Sequence, residues 1–232
     1  MSFDMIDAKK LALHKKRFLH FFPNAFLDQQ YIDWERTYKW QAHKLFKKLL
    51  SRSEFEALLA RREHGEIAAR ALQVESRTNF LFSFEKMALR DALRTNSGAS
   101  TFAEGLYQLL YDRGSMKSRY IAWIVCVSQL PRKKSRVLSW PIVTYFPFIA
   151  QPGKHIIMKP TAMKEAAAAL GYDLAYYSIP SFSTYERLLD LADQVRVGIK
   201  TLEPKDYHDL QAFLWVIGSS EYVRLESEMG VD

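Results

Sequence analysis

The stretch SWPIVTYFPFIAQPGKHIIMKP, residues 139–160, decides the fold, because it is the part of the chain that does not carry a helical period. Aromatic and β-branched residues, which favour strands, are interrupted in it by Pro141, Pro147, Pro152 and Pro160. At its centre, QPGK offers a Pro-Gly pair suited to a type II turn, with proline fixing φ and glycine accepting a positive φ. The expectation is a small antiparallel hairpin over about 137–160, with VLSWPIVTYFPFIA and HIIMKP as its arms. Pro141 and Pro147 have no N–H for a sheet ladder, which places them at strand ends, bulges or an edge. A third extended piece, YDLAYYSIP, is available to pair with it.

Outward from this stretch the chain reads as helices. In residues 8–22, Leu11, Phe18 and Phe22 share one helical face while Lys9, Lys16 and His20 lie opposite. Asp28 is placed to cap a long helix to about Leu50, along which Tyr31, Trp34, Tyr38, Leu45 and Leu49 recur at helical spacing. Three Ser/Thr-x-x-Glu boxes, Ser53 with Glu56, Thr101 with Glu104 and Ser183 with Glu186, read as helix starts. Glycines 65, 98, 114, 171 and 218 follow periodic runs, where a left-handed C-terminal residue is expected. The inferred helices are 8–22, 29–50, 54–64, 66–95 with a break near ESRTN, 102–112, 116–130, 162–170, 184–201 and 205–217. The fold class is therefore mainly α: a multi-helix body with a small antiparallel β hairpin inserted after the midpoint. One compact domain over 1–232 is expected, with a basic all-helical subregion 1–130 and a subregion 131–232 holding the hairpin and C-terminal helices.

The chain has 232 residues and a formal net charge of +7, unevenly spread. Residues 1–150 hold 25 Lys/Arg against 14 Asp/Glu, and residues 151–232 hold 8 against 12. Such asymmetry suits either a basic face for a polyanion or mutual attraction of the two halves. The single cysteine, Cys126, excludes an intramolecular disulfide and a Cys-based zinc cluster, and reads as a buried thiol in a reducing compartment. The N-terminus lacks a secretory apolar region, and the run Ile121–Val127 is far shorter than the roughly 20 residues of a membrane span. A cytoplasmic protein without a membrane partner is expected.

Catalytic motifs are weak. The six histidines show no HExxH, and Asp206, His208 and Asp209 in DYHD do not share one helix face, so the acids read as helix N-terminal residues and no metal site is expected. A PD-(D/E)xK-type nuclease would need acids beside Lys154 or Lys159, but residues 113–160 contain no Asp or Glu. Ser115 and Lys117 form a Ser-x-Lys pair in which Ser115 reads as a cap. No GxSxG, Walker A or GxGxxG loop is present. No catalytic residue and no cofactor are expected.

The basic material remains. Arg132, Lys133, Lys134 and Arg136 in PRKKSR stand beside Trp140, Tyr145, Phe146 and Phe148, with Lys154, His155 and Lys159 on the opposite arm of the expected hairpin. Lys and Arg neutralise phosphates, and aromatic rings stack on unpaired bases. The expectation is a non-catalytic protein contacting DNA or RNA through this hairpin, extended by Lys9, Lys10, Lys15, Lys16, Arg17, Lys44, Lys47 and Lys48. A basic hairpin after a helix pair resembles the wing of winged-helix proteins, but the helix containing Ile121–Val127 is apolar on every face and is expected in the core. A second expectation is an adaptor or self-assembling module that uses Tyr172, Tyr176, Tyr177, Phe182 and Tyr185 as an aromatic groove for a protein partner. An enzyme of unidentified chemistry is the third.

Overall fold

The computed structural model describes residues 4–228; the chain is 72% helix, and no strand occurs among the described residues. In chain order the helices are α1 (Ala8–Phe21), α2 (Gln29–Tyr31), α3 (Thr37–Leu49), α4 (Arg52–Ala60), α5 (His64–Glu75), α6 (Ser83–Leu93) and α7 (Asn96–Tyr111). They continue as α8 (Met116–Ser128), α9 (Trp140–Ala150), α10 (Pro160–Ala169), α11 (Phe182–Gly198), α12 (Tyr207–Gly218) and α13 (Ser220–Glu228). A π-wound segment, Ile32–Arg36, joins α2 to α3.

The expected hairpin over 137–160 does not exist; its first arm is α9. Every side chain from Trp140 to Ile149 is buried, and a helix buried on all faces shows no 3.6-residue alternation of apolar and polar residues. Pro141 sits in the first turn, where its missing N–H is no loss. Pro147 lies inside the helix and cannot donate to the carbonyl of Val143 four residues earlier. That carbonyl instead accepts from the Trp123 indole N–H of α8 at 2.8 Å. Thr144 Oγ1 donates back to the Trp140 carbonyl at 2.7 Å, a local bond within the same helix. QPGK is a turn, with Lys154 N–H donating to the Gln151 carbonyl at 2.9 Å, but it ends a helix and joins no strands. The piece HIIMKP runs as buried irregular chain into α10.

The chain divides into two compact units. One comprises Met1–Thr37, Met158–Tyr176 and Ser183–Asp232; the other comprises Tyr38–Ile157 and Tyr177–Phe182. The first is built about α12, which packs against α10, α1, α13 and the π-wound segment. All residues of α12 from Tyr207 to Ile217 except Trp215 are buried. A Cβ on Gly218 would fall 1.9 Å from the Ala162 carbonyl oxygen, so α10 and α12 touch backbone to backbone. At the α12 N-terminus Asp206 caps His208 N–H at 2.9 Å, and Asp209 accepts from Tyr31 Oη and the Arg36 guanidinium. DYHD is thus a cap and an ion-pair anchor.

The second unit is built about α7, which packs against α4, α5, α6, α8 and α9. At Gly105 an added Cβ would lie 2.2 Å from Cys126 Sγ, so a glycine is needed where α7 meets α8. Around α9, Phe146 meets Phe102 edge-on at 5.0 Å and Phe148 meets Phe80 at 5.5 Å, while Tyr145 Oη donates to the Val74 carbonyl at 3.2 Å. The aromatic residues of the opening stretch are therefore core. The α8 helix is not apolar core on all sides: Tyr120, Trp123 and Val127 are buried, but Ile121 and Val125 face water.

The Trp123–Val143 bond is separable from ordinary packing by a double-mutant cycle. Trp123→Phe is expected to cost about 1–3 kcal/mol in urea unfolding, the penalty of a buried carbonyl left without a donor. In a Pro147→Ala background the restored N–H serves Val143, and the cost of Trp123→Phe is expected to fall by about 1 kcal/mol or more. Equal costs in both backgrounds would exclude this role for the indole.

Candidate nucleic-acid interface

The basic run Arg132–Arg136 lies in the second unit, in the connection from α8 to α9, with all four cationic side chains exposed. It leads directly into the N-cap of α9. Ser139 Oγ accepts from Ile142 N–H at 3.4 Å and donates to Glu85 Oε1 at 2.6 Å. The other oxygen of Glu85 accepts from the Phe82 N–H at 2.9 Å, so this buried carboxylate caps the start of α6 while holding the start of α9. One residue on, the Trp140 indole N–H donates to the Tyr177 carbonyl at 2.7 Å. Three places distant in sequence, residues 82–85, 139–140 and 177, thereby meet at the N-terminal end of α9 within one unit.

What they present to solvent includes cations and aromatic rings beside short polar side chains such as Ser83, Ser135 and Ser178. Phe82 and Phe84 are 56% and 54% exposed and lie nearly parallel, their centroids 5.7 Å apart and their planes 10° apart. Met87, Tyr177 and Ile179 are also exposed. Arg132, Lys133, Lys134 and Arg136 are exposed, and none of the four pairs with a carboxylate among the described residues. Of the acids on or against α6, Asp91 is half-buried and paired with Arg94, and the other two are turned inward. Glu85 is held as described, and Glu75, fully buried, lies 3.2 Å from Lys86 Nζ and 3.9 Å from Arg90 Nη2.

Of the other expected contacts, Lys154 and His155 do not join this surface. Lys154 is exposed but lies beyond the other end of α9, whose 11 residues span about 16 Å. Lys159, half-buried, is the residue before α10 and belongs to the first unit. His155 is fully buried, and burial first, then the nearby Arg119 and Lys154 charges, push its ring down to about 3, so it is neutral and inaccessible to a ligand. The lysines of α1 belong to the first unit and those of α3 to the second.

The aromatic groove expected over 172–185 is mostly interior. Tyr185 is fully buried, Tyr172 is buried and donates to Asp190 at 2.8 Å, and Phe182 packs edge-on against Tyr120 at 5.9 Å. Tyr176, half-exposed, has Lys164 Nζ over its ring at 5.1 Å. Only Tyr177 of the five is exposed, at 66%. The sequence reading missed Phe82, Phe84 and Met87; the signal available was the aromatic run NFLFSFE falling where the helical pattern of residues 66–95 breaks.

Among the described residues no three His, Cys, Asp or Glu side chains gather as metal ligands would, and no helix is long and apolar enough to cross a membrane. Comparison with protein-family models, with curated proteins and with solved structures finds no match to this chain.

Burial of His155 has a consequence for pH. A histidine whose folded pKa lies below its unfolded value of 6.5 leaves the unfolded state binding the extra proton, so stability falls as pH drops from 6.5 towards 3. The expected slope from this group is about 1.4 kcal/mol per pH unit in that window. His155→Gln is expected to remove that part of the slope, measured by urea unfolding at pH 7, 6 and 5.

Proposed function

We propose that this chain is a nucleic-acid-binding protein, and that it contacts the ligand through the surface at the N-terminal end of α9. One observation carries the reading: the four exposed cations of the α8–α9 connection, without carboxylate partners among the described residues, lead into the end of α9 where Phe82 and Phe84 are exposed and Glu85 is buried. A phosphate backbone is neutralised by Lys and Arg with release of condensed counterions, and an adjoining acid would oppose it. The absence of exposed acid extends along the chain, since residues 113–160 contain no Asp or Glu.

The loop offers no helix or ribbon shaped for a groove, and the reading involves neither a hairpin wing nor catalysis. Its cations lie on a short irregular segment whose ends are fixed by α8 and α9. Backbone contacts of this kind position a ligand without reading its sequence.

The test is fluorescence anisotropy of labelled oligonucleotides across a range of salt. Wild-type affinity is expected to fall steeply with salt, and changing Arg132, Lys133, Lys134 and Arg136 together to Ala is expected to reduce the log–log slope by about 3, at roughly 0.7–0.9 per lost phosphate contact. Salt-independent binding, or a slope unchanged in the variant, would remove the loop from the interface.

A further inference from the structure

We infer that the ligand of this surface is single-stranded nucleic acid, with the stacked Phe82–Phe84 pair forming the platform for an unpaired base and the Arg132–Arg136 loop holding flanking phosphates. The inference rests on the nucleic-acid reading above and specifies what kind is bound.

The first argument is the chemistry of the exposed groups. A duplex hides the faces of its bases and displays only their edges, which are read by hydrogen-bonding side chains set in a groove. A phenyl ring has no hydrogen bond to offer an edge. It binds the face of a base, which only an unpaired nucleotide exposes. The exposed apolar side chains of this surface are Phe82, Phe84, Met87, Tyr177 and Ile179, and the uncharged polar ones beside them are short: Ser83, Ser135 and Ser178.

The second argument is preorganisation. The two phenyl rings are already parallel and stacked, 5.7 Å between centroids, so the outer face of the pair is held ready for a further ring. Their backbone is fixed where the pair begins, because Glu85 Oε2 holds the Phe82 N–H. Oε1 of the same carboxylate holds Ser139, and Arg136 is three residues before Ser139, within about 10 Å of extended chain. Glu85 is thus a positioning residue that sets the base platform and the phosphate-binding loop relative to one another.

Cations with exposed rings would also suit an anionic bilayer, but an interfacial helix needs a continuous apolar face. On α6 the exposed positions are Ser83, Phe84, Met87 and Arg90, so polar and cationic residues interrupt the apolar ones. This pattern favours a backbone with intermittent bases.

The experiment uses the full chain with a labelled oligothymidylate of about 20 nucleotides, longer than a typical single-strand site, and a mixed-sequence duplex of the same length. The single strand is expected to bind more tightly. Phe82→Ala/Phe84→Ala is expected to weaken it by roughly 5- to 100-fold, with an unchanged salt slope, because stacking carries no counterion release. Phe82→Tyr/Phe84→Tyr is expected to retain affinity. Both positions are exposed, and circular dichroism melting confirms that the variants are folded. Equal or tighter duplex binding, or an Ala pair without effect while the loop variant still loses affinity, would overturn the single-strand inference and leave the nucleic-acid reading standing. No salt-sensitive binding to either oligonucleotide would remove both. Phosphatidylserine vesicles that bind the wild type and lose the Ala pair, with no oligonucleotide bound, would replace both by a membrane surface.

Discussion

The second unit depends on one hydrogen bond, from the Trp123 indole to the Val143 carbonyl. An interior proline removes an N–H from a helix and leaves a carbonyl without its partner, which is tolerable in water and costly in a core. α9 is buried over its length, so water is not there to fill the gap. The α8 indole supplies the donor and at the same time joins α8 to α9. With that carbonyl satisfied, α9 can be apolar on every face and serve as an internal post. Its N-terminal end then becomes the fixed point to which α6 is tied through Glu85 and Ser139, and to which the Tyr177 segment is tied through Trp140. The candidate interface is assembled on a feature whose reason lies in the core.

Charge follows the same logic in both units. In the first, Asp209 takes hydrogen bonds from Tyr31 and Arg36, and Glu35 accepts from Tyr222 Oη at 2.9 Å. Burial alone would raise the Asp206 carboxyl, and the Arg36 guanidinium with its neighbours outweighs this, holding it below its ordinary value. In the second unit Glu75 and Glu85 are buried as partners of α6. Carboxylates are drawn inward as caps and anchors, while the cations of the α8–α9 connection are left in water. The sign of the surface at the end of α9 is set by what the core takes up, more than by the net charge of the chain.

Much of the helical outline was legible, because caps and amphipathic stripes act locally. Asp28 accepts from Gln30 N–H at 2.9 Å and Ser115 from Ser118 N–H at 3.1 Å, as their positions implied. Gly171 takes a positive φ of 72° after α10, and the pattern over 66–95 does break, at Glu75. Other local signals misled. Ser51, not Ser53, caps α4, and Thr95, not Thr101, caps α7, since a hydroxyl and a glutamate three residues apart also occur inside helices. The hairpin failed for a deeper reason. Residues 140–149 satisfy the compositional signs of a strand, and nothing within the segment records that Trp123 would stand opposite Val143. Proline reads as a strand or loop residue unless its replacement donor is known, and that donor is 20 residues away.

The site divides along the same line between local and tertiary information. The charge of PRKKSR was visible because a loop of four cations stays exposed in almost any fold. Which rings accompany it was not, since Trp140, Tyr145, Phe146 and Phe148 were nearer in sequence and all became core. On α6 the buried face runs through Glu85, Ala88, Leu89, Ala92 and Leu93, while Phe84 and Met87 look outward. A carboxylate inside and a phenyl ring outside, on adjacent residues, invert the usual order of an amphipathic helix. The inward half has a structural reason in the two hydrogen bonds of Glu85. The outward half has less reason in the fold, because Phe84 stacks on Phe82 but leaves more than half of its surface in water. Conflicts between local pattern and burial concentrate where a surface does something other than stabilise the fold, and here the conflict stands next to the unpaired cations.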